Sequence, residues 1–387
     1  MIMQELKKIF EVKRVLMIFI LAVLFYILFF QKNVGIPDYS SDWANLQLSV
    51  TLREEYGNEI DQNEYRDLQN SSDYSEENKI DTWIKGNDDF KQYGVGDYAD
   101  LLAIQDSLSD EAAGFLISQI SARFTEEEQQ EALDHVWMKD YMESLAEAYD
   151  MEIHSNQKTS YYSELSEKNK ERLAERNQEE VYSLMPDSVM RNYLAILPDF
   201  AIFLFLSMIL LIVPYSVKDT MEGINILQYT SPKGCKFYWK KSVSVFVGSI
   251  ILCAVEVGSF VFMLRKNGTF YFVDCFVSGF RNPFITFMKL TFGQYIMMSL
   301  VYMAVIGLCL SMITYCLSSC AHNYISAIAF QIPGIIFSIL VALMFISHFA
   351  EMTQNVMLLF LIPFLCFLTA VIGNLIRFLS IKFYEQI

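Results

Sequence analysis

The sequence predicts an all-α membrane protein with six transmembrane helices, an N-terminal interfacial helix and a large, mainly helical extracellular domain between helices 1 and 2. Three observations carry this. Apolar runs fill residues 15–30 and most of 193–387, in lengths suited to a hydrocarbon core about 30 Å thick. Residues 31–192 are polar, with 14 Lys/Arg against 36 Asp/Glu, a net of −22 on a chain totalling −16, so the remainder carries +6. Basic residues gather beside alternate ends of the apolar runs, which gives the chain a direction across the bilayer.

Residues 1–14 place Ile2, Met3, Leu6, Ile9 and Phe10 at helical spacing opposite Gln4, Lys7, Lys8 and Glu11. That is the pattern of a helix lying in the cytoplasmic interface, with a frayed terminus as the alternative. The first span, 15–30, follows Lys13 and Arg14, whose stems can reach the head groups. A cleaved signal peptide fits poorly, because Phe29-Phe30-Gln31-Lys32 offers no small-residue cleavage site. Further spans fall at 193–217, 243–264, 288–316, 323–347 and 356–376.

With the N-terminus inside, eleven basic residues lie in cytoplasmic segments, among them Lys218, Lys233, Lys236, Lys240, Lys241 and Arg377. Only four, Arg265, Lys266, Arg281 and Lys289, lie in short outer loops. The asymmetry puts both termini in the cytoplasm and residues 31–192 outside. Loop 265–290, basic and aromatic-rich, is the weak point of this count, and a partly re-entrant path stays open for it.

Within 31–192, Thr125-x-x-Glu128 is a capping-box signature, opening a helix with Leu133, Val136, Trp137, Tyr141, Leu145 and Tyr149 on one face. Asp61-x-x-Glu64 predicts a second helix start after a stop at Tyr56-Gly57. A third helix is expected from about 161 to Met185, ending at Pro186, with Asp187 capping the helix that continues into the second span. Leu46, Leu48, Val50 and Leu52 alternate as in a strand, but helix is the preferred reading there.

Composition excludes several functions. The acidic block repels nucleic acid and anionic head groups and attracts cations or cationic peptides. All seven cysteines lie outside it, none in zinc-ligand spacing, and the four histidines are scattered, so no metal site is expected. No EF-hand-like loop occurs. No phosphate-cradling Walker A sequence occurs either, and Gly94-Val95-Gly96 reads as a turn rather than a dinucleotide loop. No catalytic residues and no cofactor are expected in this chain.

The most informative stretch is the loop 218–242. Met221, Ile224 and Leu227 follow helical spacing, and Ser231-Pro232 supplies an N-cap with proline at the first helical position. The expected outcome is a short helix, a break, and a helix feeding the third span, which suits docking to a partner protein.

Here the chain resembles the ABC-2-type permeases, membrane subunits of bacterial ATP-binding-cassette exporters. Glu222-Gly223, the apolar patch after it, Thr230-Ser231-Pro232 and Lys240 or Lys241 match the coupling segment of that family. Asp219 stands where a second Glu is common, and Gly234-Cys235 replaces the usual polar residues. The layout resembles the family over nearly the whole chain. The resemblance implies two permeases together, identical or sister subunits, in a bacterial cytoplasmic membrane. It also implies separate ABC ATPases that bind ATP and Mg and receive the coupling segment through Glu222, Gly223, Ile224, Leu227, Ser231, Pro232, Lys233 and Lys236.

Charges inside a membrane are costly and invite explanation. Asp199 follows Pro198 near the outer end of the second span, and Glu256 lies in the outer half of the third. They either line a translocation pathway or bind a cation, or else pair with Arg265, Lys266 or Lys289. Pro214, Pro333 and Gly334 are hinges or packing kinks. The leading expectation is export of a cationic or amphipathic peptide, such as a bacteriocin or toxin, in secretion or immunity. Efflux of sodium or small drugs is the alternative within transport. A membrane-anchored sensor is the alternative outside it, though one or two helices would suffice for that.

Overall fold

The computed structural model describes residues 2–36, 41–61, 63–64, 79–105, 110–124, 167, 170, 182–229, 231, 233–277, 290–346 and 356–385. In chain order they form helices α1 (Ile2–Ile9), α2 (Val12–Phe30, its last turn a π turn) and α3 (Ser41–Tyr56), then strand β1 (Glu59–Ile60). Helices α4 (Lys79–Gly86), α5 (Asp88–Gln92), α6 (Tyr98–Gln105) and α7 (Asp110–Phe124) follow, then β2 (Tyr182–Ser183). The rest is α8 (Asp187–Met221), α9 (Ile224–Tyr229), α10 (Gly234–Met263), α11 (Phe292–Ser319), α12 (Tyr324–Val341) and α13 (Val356–Glu385). Among the described residues, six helices are long and apolar enough to cross a membrane: α2, α8, α10, α11, α12 and α13. The chain is an all-α, multi-pass membrane protein.

It divides into a membrane unit, Met1–Gly35 with Met190–Asp274 and Phe284–Ile387, and a polar unit, Ile36–Val189 with Cys275–Pro283. In the membrane unit α8 is central. Its apolar stretch is 72% buried, against 17% for α2 and 22% for α12 and α13, which therefore turn most of their surface outward. Lipid gives apolar helices no reason to leave it, so association rests on close packing and polar pairs. Phe200 of α8 stacks on Phe260 of α10, with centroids 4.0 Å apart and planes 13° from parallel. Tyr193 meets Phe292 and Tyr295 edge-on and shares a 2.6 Å hydrogen bond with Ser299 of α11. Leu204 and Phe205 pack beside Gly307 of α11, 3.6 Å from where a Cβ would sit, an ordinary contact distance.

Asn374 of α13 binds three helices together. Its side-chain carbonyl accepts from the Tyr238 hydroxyl of α10 (2.8 Å), and its amide donates to the Met312 carbonyl of α11 (3.2 Å) and to Ala370 of its own helix (2.9 Å). Tyr238 also stacks on Tyr315 at 5.6 Å. Side-chain capping boxes open α11 (Thr291 with Gln294) and α12 (Asn323 with Ser326), satisfying amides that lipid could not.

Several expected boundaries shift. The interfacial helix ends at Ile9 rather than at 14, and the first span begins at Val12, with Lys13 and Arg14 in its first turn. Arg14 explains the break, because its guanidinium donates to the Lys8 and Ile9 carbonyls that the helix end leaves open. The second span is part of one 35-residue helix starting at Asp187 and running through Pro198 and Pro214. Pro333 likewise lies inside α12. Pro198 is buried, Pro214 half-buried and Pro333 exposed, so these kinks are tolerated by local adjustment of a spanning helix rather than by burial alone.

In the polar unit, Ile80, Ile84, Phe90, Val95, Leu101, Leu116 and Ile120 form the core, with Trp83 edge-on to Phe90 at 5.4 Å. Gly94 (φ 77°) makes the turn expected of Gly94-Val95-Gly96, and it delivers Val95 into that core. Helix α3 covers the Leu46–Leu52 stretch as preferred, and it stops at Gly57 (φ 95°), whose amide donates to Arg53. The Asp61–Glu64 box forms: the Glu64 amide donates to the Asp61 carboxylate (2.9 Å), and the Asp61 amide donates to the Glu64 carboxylate (2.9 Å). The expected helical end at Met185 is corrected; the body of that helix, from about 161, lies almost wholly outside the described residues. Tyr182 and Ser183 are extended and pair antiparallel with Ile60 and Glu59, and residues 184–186 have no regular structure. Pairing with β1 supplies these residues with hydrogen-bond partners that local periodicity does not reveal. The helix expected from Thr125 through Tyr149 lies outside the described residues.

Replacing Asn374 with Leu should lower the melting temperature of the detergent-solubilised protein by a few degrees, about 1–2 kcal/mol for the interhelical bonds lost. Thr369→Val should not, because among the described residues the Thr369 hydroxyl bonds only the Leu365 carbonyl of its own helix. Equal melting of both variants would contradict the triple junction.

Candidate functional site

The candidate site is the hairpin between α8 and α10. Helix α8 stops where Gly223 adopts a left-handed conformation (φ 70°), with the Glu222 amide on the Lys218 carbonyl and the Gly223 amide on Thr220. Nothing lies within 4 Å of where a Cβ would project from Gly223, so glycine is needed there for backbone freedom rather than for space. The short helix α9 follows and packs on α10 and α13. Ser231 then differs from expectation. Its hydroxyl donates to the Gln228 carbonyl (2.7 Å), closing α9 from behind, while α10 starts at Gly234 after Lys233. Ser231 still meets the start of α10, but through its backbone: its carbonyl accepts from the Gly234 amide (2.9 Å), while its hydroxyl is engaged by Gln228. Pro232 and Thr230 lie outside the described residues.

The outward face of this hairpin is mixed. Leu227 is 75% exposed at its tip, Met221 and Glu222 are exposed beside it, and Lys233, Lys236 and Lys240 are exposed along the start of α10. Ile224 is half-buried at the root of α9. The structure thus gathers Glu222, Gly223, Ile224, Leu227, Ser231, Lys233 and Lys236 into one projecting element.

Its base is held by a contact that the sequence did not announce. Asp219, at the end of α8, and Lys241, early in α10, form an ion pair at 2.6 Å, with the two residues only 6% and 5% exposed. The departure at Asp219 therefore has a local role: it faces inward to Lys241. The same end of the bundle carries a second network. The Tyr215 hydroxyl donates to Glu5 of α1 (2.8 Å), Lys8 pairs with Glu5 (3.1 Å), and buried Arg14 bonds Glu11 (3.1 Å) with its charge 6.0 Å from the centre of the Tyr215 ring. Ile9 of α1 approaches to within 3.3 Å of where a Cβ on Gly248 of α10 would sit. Helix α1 is consequently bolted to the α8–α10 pair. Opposite charges at the two ends of the loop were a visible clue, but their pairing was not.

The membrane carboxylates are not brought together by any contact. Glu256 of α10 is 6% exposed and accepts a hydrogen bond from Ser207 of α8 (2.9 Å), and its Oε1 has no partner among the described residues. Asp199 is partly exposed on α8. No ion pair joins either carboxylate to Arg265 or Lys266 among the described residues; Lys289, the third partner considered, lies outside them. Among the described residues no cluster of His, Cys, Asp or Glu could hold a metal ion.

Breaking a buried ion pair by removing one partner leaves the other charge unpaired, at a cost of about 3–5 kcal/mol. Asp219→Leu should therefore destabilise the solubilised protein strongly. The double change Asp219→Leu with Lys241→Met should restore most of the melting temperature. If the single variant melts like the parent, the pair does not hold the hairpin.

A family model described as ABC-2 family transporter protein matches residues 14–380. No curated protein and no solved structure matches the chain. The match runs from the first turn of α2 to near the end of α13 and takes in the hairpin and all six spans, and the chain belongs to the ABC-2 family of transporter membrane proteins.

Proposed function

We propose that the chain is the permease subunit of an ATP-driven exporter, working as a pair of permeases with separate ABC ATPases that bind the ATP and Mg. The observation that carries this reading is the rooted hairpin: an exposed Leu227 and three exposed lysines on an element clamped at its base by Asp219 and Lys241. An apolar anchor ringed by charge suits a groove on a soluble partner. The clamp makes any displacement of the hairpin a displacement of α8 and α10 together. In this reading the hairpin and both termini are cytoplasmic, in a bacterial membrane, and residues 31–192 are extracellular.

For cargo we infer a cationic or amphipathic peptide, exported or expelled in immunity. The net −22 of residues 31–192 supports it, since such a field concentrates cations at the membrane face. Sodium efflux draws less support, because Glu256 meets one hydroxyl rather than a shell of oxygens.

Affinity purification of the tagged chain from native membranes should bring down a nucleotide-hydrolysing protein, and Leu227→Asp should lose at least nine-tenths of it without changing the melting temperature. Full recovery with the variant would refute the docking role. In a background without native cysteines, Lys233→Cys should resist a membrane-impermeant maleimide in intact cells and react in inside-out vesicles; labelling of intact cells would overturn the topology. Cells lacking the chain should lose export of, or resistance to, a cationic peptide, and unchanged behaviour in both assays would remove peptide as the cargo.

A further inference from the structure

Beside Glu256, α2, α8 and α10 enclose a groove of about 570 Å³ within the spanning part of the bundle. The volume falls in the range of small-molecule sites. Its walls are almost wholly apolar, among them Phe19, Ala22 and Tyr26 of α2, Phe203 of α8 and Val255 of α10, and the Phe200–Phe260 stack also lines it. Several of these residues face outward, Phe19 being 64% and Val255 61% exposed, so the groove opens sideways towards lipid.

Glu256 is the one charged residue of that lining, and it is poorly satisfied. The Ser207 hydroxyl has a single hydrogen, and the Leu204 carbonyl lies as close to it (2.8 Å) as Glu256 does (2.9 Å). The other carboxyl oxygen is buried without a partner among the described residues. A buried acceptor in that state invites a donor, and a charged donor most of all. The donor must also carry an apolar body, because the other polar groups of the walls, the Tyr26 and Ser259 hydroxyls, are too few to replace an ion's hydration shell. A bare metal ion would find too few oxygens, an anion would meet the carboxylate, and a neutral acyl chain would leave Glu256 as it stands.

We propose that this groove is a binding site for a cationic amphiphile, taken from the lipid phase, whose ammonium group pairs with Glu256 while its apolar body lies between α2 and α10. The site gives a chemical form to the cationic cargo inferred above, but binding there requires neither a partner ATPase nor nucleotide. The test accordingly uses the purified chain alone, so that this inference and the export reading fail separately.

The chain in phosphatidylcholine nanodiscs is photolabelled with dodecylammonium carrying a trifluoromethyl-aryl diazirine, and with the matching dodecanol as the neutral probe. Labelled peptides are mapped by mass spectrometry. The ammonium probe should label residues 15–30 and 251–263, and that labelling should fall about ten-fold in Glu256→Gln. Ala22→Phe, which fills the groove and leaves the carboxyl intact, should reduce it similarly. The dodecanol probe should label these peptides weakly and equally in all three proteins, which should share one melting temperature. Equal ammonium labelling in the parent and Glu256→Gln, equal labelling by the two probes, or unchanged labelling in Ala22→Phe would each overturn the proposal. If Glu256→Gln melts lower, the Ala22→Phe result decides alone.

Discussion

The ion pair between Asp219 and Lys241 is the contact on which the working end of this molecule depends. Two opposite charges at 2.6 Å, almost wholly withdrawn from solvent, each supply the other with a counter-charge that water does not. A pair of this kind adds little net stability over an apolar substitute, but it defines which atoms must meet. Here it defines that the end of α8 meets the start of α10. The segment between them, with its left-handed Gly223 and short α9, is thereby a shaped projection instead of a slack loop.

From that base, contacts run inward along both helices. Helix α8 is the most buried span and touches the rest through the Phe200–Phe260 stack and the Tyr193–Ser299 bond. Helix α10 carries Tyr238, which bonds Asn374 of α13, and Glu256, which meets Ser207 of α8. Because packed helices shift as bodies rather than deform continuously, a movement at the hairpin is felt at these contacts. Helix α1 adds a second fastening through Glu5, Tyr215 and Arg14, so the short N-terminal helix belongs to the same mechanical unit.

The division of charge follows one physical logic. Inside the bundle, charges are few and each described one near the hairpin has a named partner: Arg14 with Glu11, Lys241 with Asp219. Residues 31–192 instead carry an excess of carboxylates that only water can accommodate at that density. Glu256 is an exception, a buried carboxyl in the spanning region with one of its two oxygens unpartnered among the described residues.

Much was legible in the sequence because it is governed by local periodicity and by the bilayer. The six spans, the stop at Gly57, the box at Asp61–Glu64, the turn at Gly94 and the helix–break–helix form of 218–242 follow from run length, backbone freedom and side-chain caps. What tertiary structure alone decided is which distant groups meet. Ser231 closes α9 rather than opening α10, Tyr182–Ser183 become a strand by pairing with Glu59–Ile60, and Arg14 ends α1 early. Asp219 finds Lys241 and Glu256 finds Ser207, 22 and 49 residues away in sequence. Periodicity reports which face of a helix is apolar, whereas a pairing across the bundle depends on how helices are rotated against one another, and that is set by all of their contacts at once.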